Sequence, residues 1–241
     1  MISRDAGCIF VHQRKSAGTS VKALFPDAVG PDRDLFADGV LDPEWSRQSA
    51  LVTGCYKFTV VRNPWDRFVS GWKYCRTTRH RPIKDVLRNP PKARLLDGVT
   101  APGASAVSRR AHAAALWRHG FVTARDAIRS LGSDRARGSH SQTHDWRHLT
   151  RPQTAILLDA DGTLAVDKVV YFEDLNGGLA DVFAAIGRPM PPIERRNARR
   201  TGDDYRTHFD AEALELFDLR FGSDVTLWGY DFETGLPQFL R

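Results

Sequence analysis

The apolar run that opens at Cys8 reads, as far as His12, as a strand, and the polar loop and short amphipathic stretch behind it read as a turn and a helix. That helix is expected from near Thr19 to about Phe25, where Pro26 stops it. A second strand, "YKFTVV" (Tyr56 to Val61), is β-branched and aromatic and breaks at "RNPWDR". Asn63, Pro64 and Asp66 then fall at the N-cap, first and third positions of a helix, where an acceptor side chain, a fixed φ and a negative charge are each favoured. Trp65, Phe68, Val69 and Trp72 follow at i, i+3, i+4 and i+7, an apolar stripe for burial.

Further along, Asp27 to Ser49 has no sustained period and is expected to be loop, with a short helix about Pro43 to Gln48. Arg76 to Pro102 is basic and Pro-rich, and a mobile basic flap is expected over 76–103. Ala104 to Leu131 returns to helical composition, with a helix around Thr123 to Leu131, and the polar segment Gly132 to Thr150 carries His140, His144 and His148. "TAILL", a turn at "DADGTL" and "DKVVYF" read as strand, hairpin-like turn and strand. "NGGLADVFAAIG" is a helix with Leu175, Leu179, Val182, Phe183 and Ile186 on one side, closed by Gly187. A last helix is expected over Ala211 to Phe221, with Asp210 as N-cap and Gly222 beyond its end. Strands alternating with helices imply a single α/β domain, 1–241, with a mostly parallel sheet covered by helices.

A net charge of +6 changes this picture only by favouring an anionic partner, since charge speaks to partners and not to fold. Cys8, Cys55 and Cys75 fit neither a zinc knuckle nor a disulfide framework and read as reduced core thiols. No apolar run approaches the roughly 20 residues that a membrane span requires, and none resembles an N-terminal signal, so the expectation is a cytoplasmic protein.

The chemistry concentrates at two strand-to-helix junctions. In "HQRKSAGTSV" the loop offers Lys15 as a point charge, Gly18 for close backbone approach, and the hydroxyls of Ser16, Thr19 and Ser20. It is not a Walker A loop: no glycine opens it, and its Lys precedes the single Gly. Taken alone, the loop is balanced between an anion site at a helix N-terminus and a helix cap at the surface. The second junction tips the balance. Arg62 leaves a strand and Ser70 lies two turns into the following helix on the side of Asn63, so two anion cradles fall at one C-terminal sheet edge, where open α/β sheets bind ligands.

"KSAGTS" followed by "VVRNPWDRFVSGW" resembles the paired 5′-phosphosulfate and 3′-phosphate loops of sulfotransferases that use 3′-phosphoadenosine 5′-phosphosulfate (PAPS). The carbohydrate sulfotransferase type, the sulfotransferase family 2 domain, is the nearest likeness, and "RPQTAILLDADGTLAVDKVVYFEDL" and "YRTHFDAEALELFDLRFGSDVTLWGYDF" resemble its middle and C-terminal segments. The likeness is weak across Asp27 to Ala50 and Arg76 to Leu131, and Arg14 stands where that group usually has Pro.

The resemblance implies a P-loop-like three-layer fold. It also implies Lys15 beside the bridging oxygen, Ser16, Ala17, Gly18, Thr19 and Ser20 around the 5′-phosphate, and Arg62 with Ser70 on the 3′-phosphate. The product would be 3′-phosphoadenosine 5′-phosphate (PAP). No metal is required by this arrangement. His is the usual general base near neutral pH. His148 is nearest to the position that the family uses before the Pro-Gln pair, with His144 close behind and Asp145 or a Glu as carboxylate options. Arg67 reads as a structural ion-pair partner, and "ERRNARRTG" as a basic segment near the 3′-phosphate pocket. Expected partners are a small-molecule or glycan acceptor and no nucleic acid. A nucleotide kinase would need a GK[ST] loop and a magnesium-holding carboxylate, and a nucleic-acid-binding module would interleave exposed aromatics with Lys and Arg; neither pattern is evident.

Overall fold

In the computed structural model, residues 1–28, 54–75, 78–89, 152–158, 162–193 and 204–240 are described. They fall into two compact units, one built on 1–28, 54–62, 156–158 and 162–193, the other on 63–75, 78–89, 152–155 and 204–240. The expected helices about 43–48 and within 104–131, the three histidines of 140–148 and the basic run 194–202 lie outside the described residues.

The first unit is a four-stranded sheet in chain order: β1 (Ile2–Ser3), β2 (Cys8–Val11), β3 (Tyr56–Val61) and β4 (Lys168–Tyr171). β1 runs antiparallel to β2, while β2–β3 and β3–β4 are parallel, in register at Phe10 with Phe58 and Val60 with Val170. The mostly parallel α/β sheet read from the alternating elements is therefore the one observed. Cys8, Phe10, Phe58, Val60 and Val170 share one face and form a core with Val21, Leu24 and Phe25 on one side and Leu179, Val182 and Phe183 on another. Ile9, Val11, Thr59 and Val61 on the opposite face are buried as well, which is why these strands read as continuous apolar runs and not as alternations.

The helix of this unit that packs on β3 and β4 is Leu175–Ala185, capped by Asp174, whose carboxylate accepts from Gly177 N–H at 3.2 Å. Its approach is close. A Cβ on Gly178 would meet Val170 Cγ1 at 2.6 Å, so a side chain there would push the helix off β4. "TAILL" departs from the expected strand: Thr154–Leu157 is one helical turn, followed by an isolated antiparallel bridge between Leu158 and Leu164. Part of the expected turn, 159–161, lies outside the described residues, and β4 begins only at Lys168. Cys8 and Cys75 are buried, Cys55 is half-buried, and all three are free. Burial pushes the Cys8 thiol up to about 12, so it is an inert packing group at neutral pH.

The second unit starts with α2 (Pro64–Tyr74), which follows β2's helix α1 (Gly18–Ala23) in chain order. As expected, Asn63 caps α2, accepting from Asp66 N–H at 3.0 Å, and Pro64 opens it. Trp65, Phe68 and Val69 are buried; Trp72 keeps its indole N–H on the Thr78 and Arg81 carbonyls at 2.9 and 3.0 Å. Within the stretch read as a flap, residues 83–88 form a packed helix, with Ile83, Val86 and Leu87 buried and Lys84 and Arg88 paired with Asp210 and Glu212.

The long helix Ala211–Trp228 is capped by Asp210 as expected, yet it runs on through Gly222 to stop at Gly229, whose φ of 66° ends it. The reason is a buried face that continues at Phe217, Phe221, Asp224 and Trp228, spacing that a helix keeps on one side. Asp224 is fully buried and accepts from Gln153 N–H at 2.7 Å and Thr154 N–H at 2.8 Å, while the charge of Arg67, 1% exposed, acts on it. Burial raises its carboxyl above the ordinary range, against the pull of Arg67 and the two N–H bonds. That pull is in keeping with a structural role for the buried Arg67.

Asp224→Ala leaves two buried amides without their acceptor and removes the carboxylate that faces the charge of Arg67, and is expected to lower stability by about 3–5 kcal/mol. Replacing Asp224 and Arg67 together by apolar residues should recover most of that loss. The urea midpoint measures it; a loss below about 1 kcal/mol for Asp224→Ala would show that the pair does not hold the second unit together.

Candidate functional site

β2 ends at Val11, and six residues later α1 begins at Gly18. Between them the backbone does something rare. Of the described non-glycine residues only Lys15 and Ala17 have positive φ, 68° and 56°, with Ser16 between them on the ordinary side. An L-residue held there costs of the order of 1–3 kcal/mol, and such strain concentrates at binding sites. Left-handed residues alternating with ordinary ones can turn successive N–H groups toward one side, a geometry suited to an oxyanion.

The side chains fit that use. Ser16 is fully buried, and its Oγ has no hydrogen-bond partner among the described residues. A buried hydroxyl left so costs about 1–3 kcal/mol, unless a ligand oxygen supplies the partner. Ser20 is buried and Thr19 exposed, so the three hydroxyls point to different surroundings. Neither caps α1: its N-cap is Ala17, whose carbonyl accepts from Ser20 and Val21 N–H at 2.9 and 3.0 Å. The helix begins one residue earlier than expected because that left-handed residue, and not a hydroxyl, turns the chain.

Gly18 has an unforeseen role. Its φ is ordinary, but a Cβ there would lie 1.8 Å from His12 Nε2 and 2.2 Å from His12 Cδ2. The His12 ring occupies the space beside the loop. It continues the phase of Cys8 and Phe10 along β2, and its centroid is 5.6 Å from that of Phe10. That phase was the available signal for His12; nothing in the sequence marked the buried Gln13 beside it.

The second junction meets the first through Arg62. Its Nη1 donates to the Lys15 carbonyl at 2.9 Å, and its guanidinium carbon stands 4.5 Å from the centre of the Phe172 ring. Lys15, Ser16, Ala17, Gly18, Thr19, Ser20 and Arg62 are therefore brought together at the C-terminal ends of β2 and β3. Ser70 is half-buried on α2, two turns from Asn63. His144 and His148 lie outside the described residues.

The mostly parallel sheet thus carries a strained, non-Walker loop and an arginine from the neighbouring strand at one edge, the kind of place where open α/β sheets commonly hold ligands. The chain belongs to the sulfotransferase family: a family model of that description matches residues 1–214, through both junctions. This bears out the family 2 type read from the two motifs, and sulfuryl transfer is the general chemistry that the family carries. Comparison with curated proteins and with solved structures gave no match.

Gly18→Ala should lower the melting temperature, because the new methyl displaces either the loop or the His12 ring. Adding His12→Ala removes the obstructing atoms and should restore the melting temperature of the double variant toward wild type. Thermal unfolding of the three variants checks this; an unchanged melting temperature for Gly18→Ala would mean that the ring does not hold the loop.

Proposed function

We propose that this chain moves the sulfuryl group from PAPS to an acceptor hydroxyl, of a carbohydrate or of a small natural product, with no metal taking part and no nucleic acid as partner. The observation that carries the reading is the loop of residues 15–18, with two left-handed residues around a buried Ser16 hydroxyl that has no partner among the described residues, held at its Lys15 carbonyl by Arg62. Such a loop suits an oxyanion, and the family match supports sulfuryl transfer as the use made of it. Reading 1–241 as one domain is part of the same proposal. A cytoplasmic location is part of the same reading; among the described residues no helix is long and apolar enough to cross a membrane.

PAPS, when bound, supplies the sulfuryl group and a phosphate leaving group. In this reading Ser16, Ala17, Gly18, Thr19 and Ser20 hold the 5′-phosphate, and Arg62 with Ser70 holds the 3′-phosphate. His148, with His144 as the alternative, takes the proton of the acceptor hydroxyl as the acceptor oxygen bonds to sulfur. Lys15 faces the oxygen that keeps the electron pair when its bond to sulfur breaks, and stabilises the negative charge that develops there. Arg62 contributes a further cation at the same edge, and a charge-assisted bond of its kind adds on the order of 1.5–3 kcal/mol.

Calorimetry in the presence of a chelator should show PAP binding one-to-one. Binding of magnesium ATP but not of PAP would replace this reading by a phosphoryl transferase.

Release of PAP during turnover separates the two catalytic roles. Lys15→Ala should lower kcat and kcat/KM by similar factors, about 10²–10³, with little change in the KM of the acceptor, since the contact strengthens only as charge develops. His148→Ala should leave PAP affinity intact and remove the acidic limb of the pH–rate profile, because only the neutral imidazole accepts a proton. Loss of that limb in His144→Ala instead would assign the base to His144, and an unchanged limb in both would assign it to a carboxylate.

A further inference from the structure

Arg62 and Phe172 are brought side by side by the sheet. β3 and β4 are parallel and paired up to Val61 with Tyr171, so the next residue of each strand leaves the sheet at the same end. Side chains alternate across a strand, which sets Arg62 in phase with Val60 and Phe172 in phase with Val170, on one face. Phe172 opens a short 3-10 turn, and its ring packs against the core that contains Phe10, Phe58 and Val170. The ring is therefore anchored on one side, and on the other carries the Arg62 guanidinium at 4.5 Å, inside the roughly 6 Å range of a cation–aromatic attraction.

We propose that Phe172 is a positioning residue for the nucleotide: its ring fixes the plane in which Arg62 meets both the Lys15 carbonyl and the 3′-phosphate. This rests on the PAPS reading given above. Arginine has one of the largest rotamer entropies among side chains, and what is not fixed beforehand must be ordered on binding. Its donors also lie in one plane, so recognition of a phosphate depends on how that plane is turned. The bond from Nη1 to the Lys15 carbonyl fixes one point of the guanidinium, and an aromatic face against its carbon fixes the tilt. One residue thereby links the 3′-phosphate to the loop that holds the 5′-phosphosulfate. Nothing in the sequence pattern paired Phe172 with Arg62, because the register of β3 on β4 is a property of the folded sheet.

The test is a double-mutant cycle read by calorimetry with PAP and with adenosine 5′-phosphosulfate, which lacks the 3′-phosphate. Phe172→Leu keeps apolar bulk and removes the aromatic face; it should weaken PAP binding by about three- to tenfold and adenosine 5′-phosphosulfate binding by less than about twofold. Phe172→Tyr should bind PAP as the wild type does. In an Arg62→Ala background, Phe172→Leu should have no further effect on PAP. Equal losses for the two nucleotides, full persistence of the effect without Arg62, or a Tyr variant as weak as the Leu variant would each overturn the proposal. Should Phe172→Leu fail to give the wild-type circular dichroism spectrum, Phe172→Met takes its place in the cycle with the same expectations. A wild type that does not bind PAP would overturn the PAPS reading itself, whereas a wild type that binds PAP with an additive cycle would overturn only the role of Phe172.

Discussion

The hydrogen bond from Arg62 to the Lys15 carbonyl is the constraint on which the candidate site depends. Lys15 and Ala17 stand in a backbone region that L-residues avoid, and a free loop of this sequence would relax out of it. The carbonyl of the first strained residue is pinned from β3, the His12 ring fills the space beside Gly18, and the Ala17 carbonyl is taken up by the first turn of α1. Strain and restraint together hold two left-handed residues on either side of the buried Ser16 hydroxyl.

The sheet makes that restraint possible. β2 and β3 are parallel and adjacent, so both deliver their next residues to the same edge, one a loop and the other an arginine. β4 joins on the far side of β3 in the same sense and adds Phe172 beneath Arg62. Burial of both sheet faces fixes the register, since a slip by one residue would exchange the face carrying Phe10, Phe58 and Val170 for the one carrying Ile9 and Thr59. The hydrophobic core thus decides which side chains meet at the polar edge.

Much of this was legible in the sequence because the governing physics is local. The Asn63 cap, Pro64, the α2 stripe, the glycine-closed helix at Leu175–Ala185 and the strands β2 and β3 each follow from nearest neighbours and periodicity. Non-local effects were misread. Thr154–Leu157 has the composition of a strand, yet Asp224, seventy residues away, takes the Gln153 and Thr154 amides at 2.7 and 2.8 Å and holds the segment at the start of a helical turn. Gly222 looked like a stop, and the helix passed it because Asp224 and Trp228 had a buried face to complete. In the candidate site, the motif gave Lys15 and Arg62 but neither the left-handed backbone, nor His12 against Gly18, nor Phe172 under Arg62, since each is a relation between strands.

The central claim is that residues 15–20 and Arg62 hold the two phosphate ends of one nucleotide, and a crystal structure of the chain with PAP tests it most directly. The account predicts the 5′-phosphate in the loop, with an oxygen within hydrogen-bond distance of Ser16 Oγ, and the 3′-phosphate on Arg62 with its guanidinium still against Phe172. A PAP molecule bound elsewhere, or bound in the loop with Ser16 Oγ still unpartnered and Arg62 turned away from the 3′-phosphate, would contradict it.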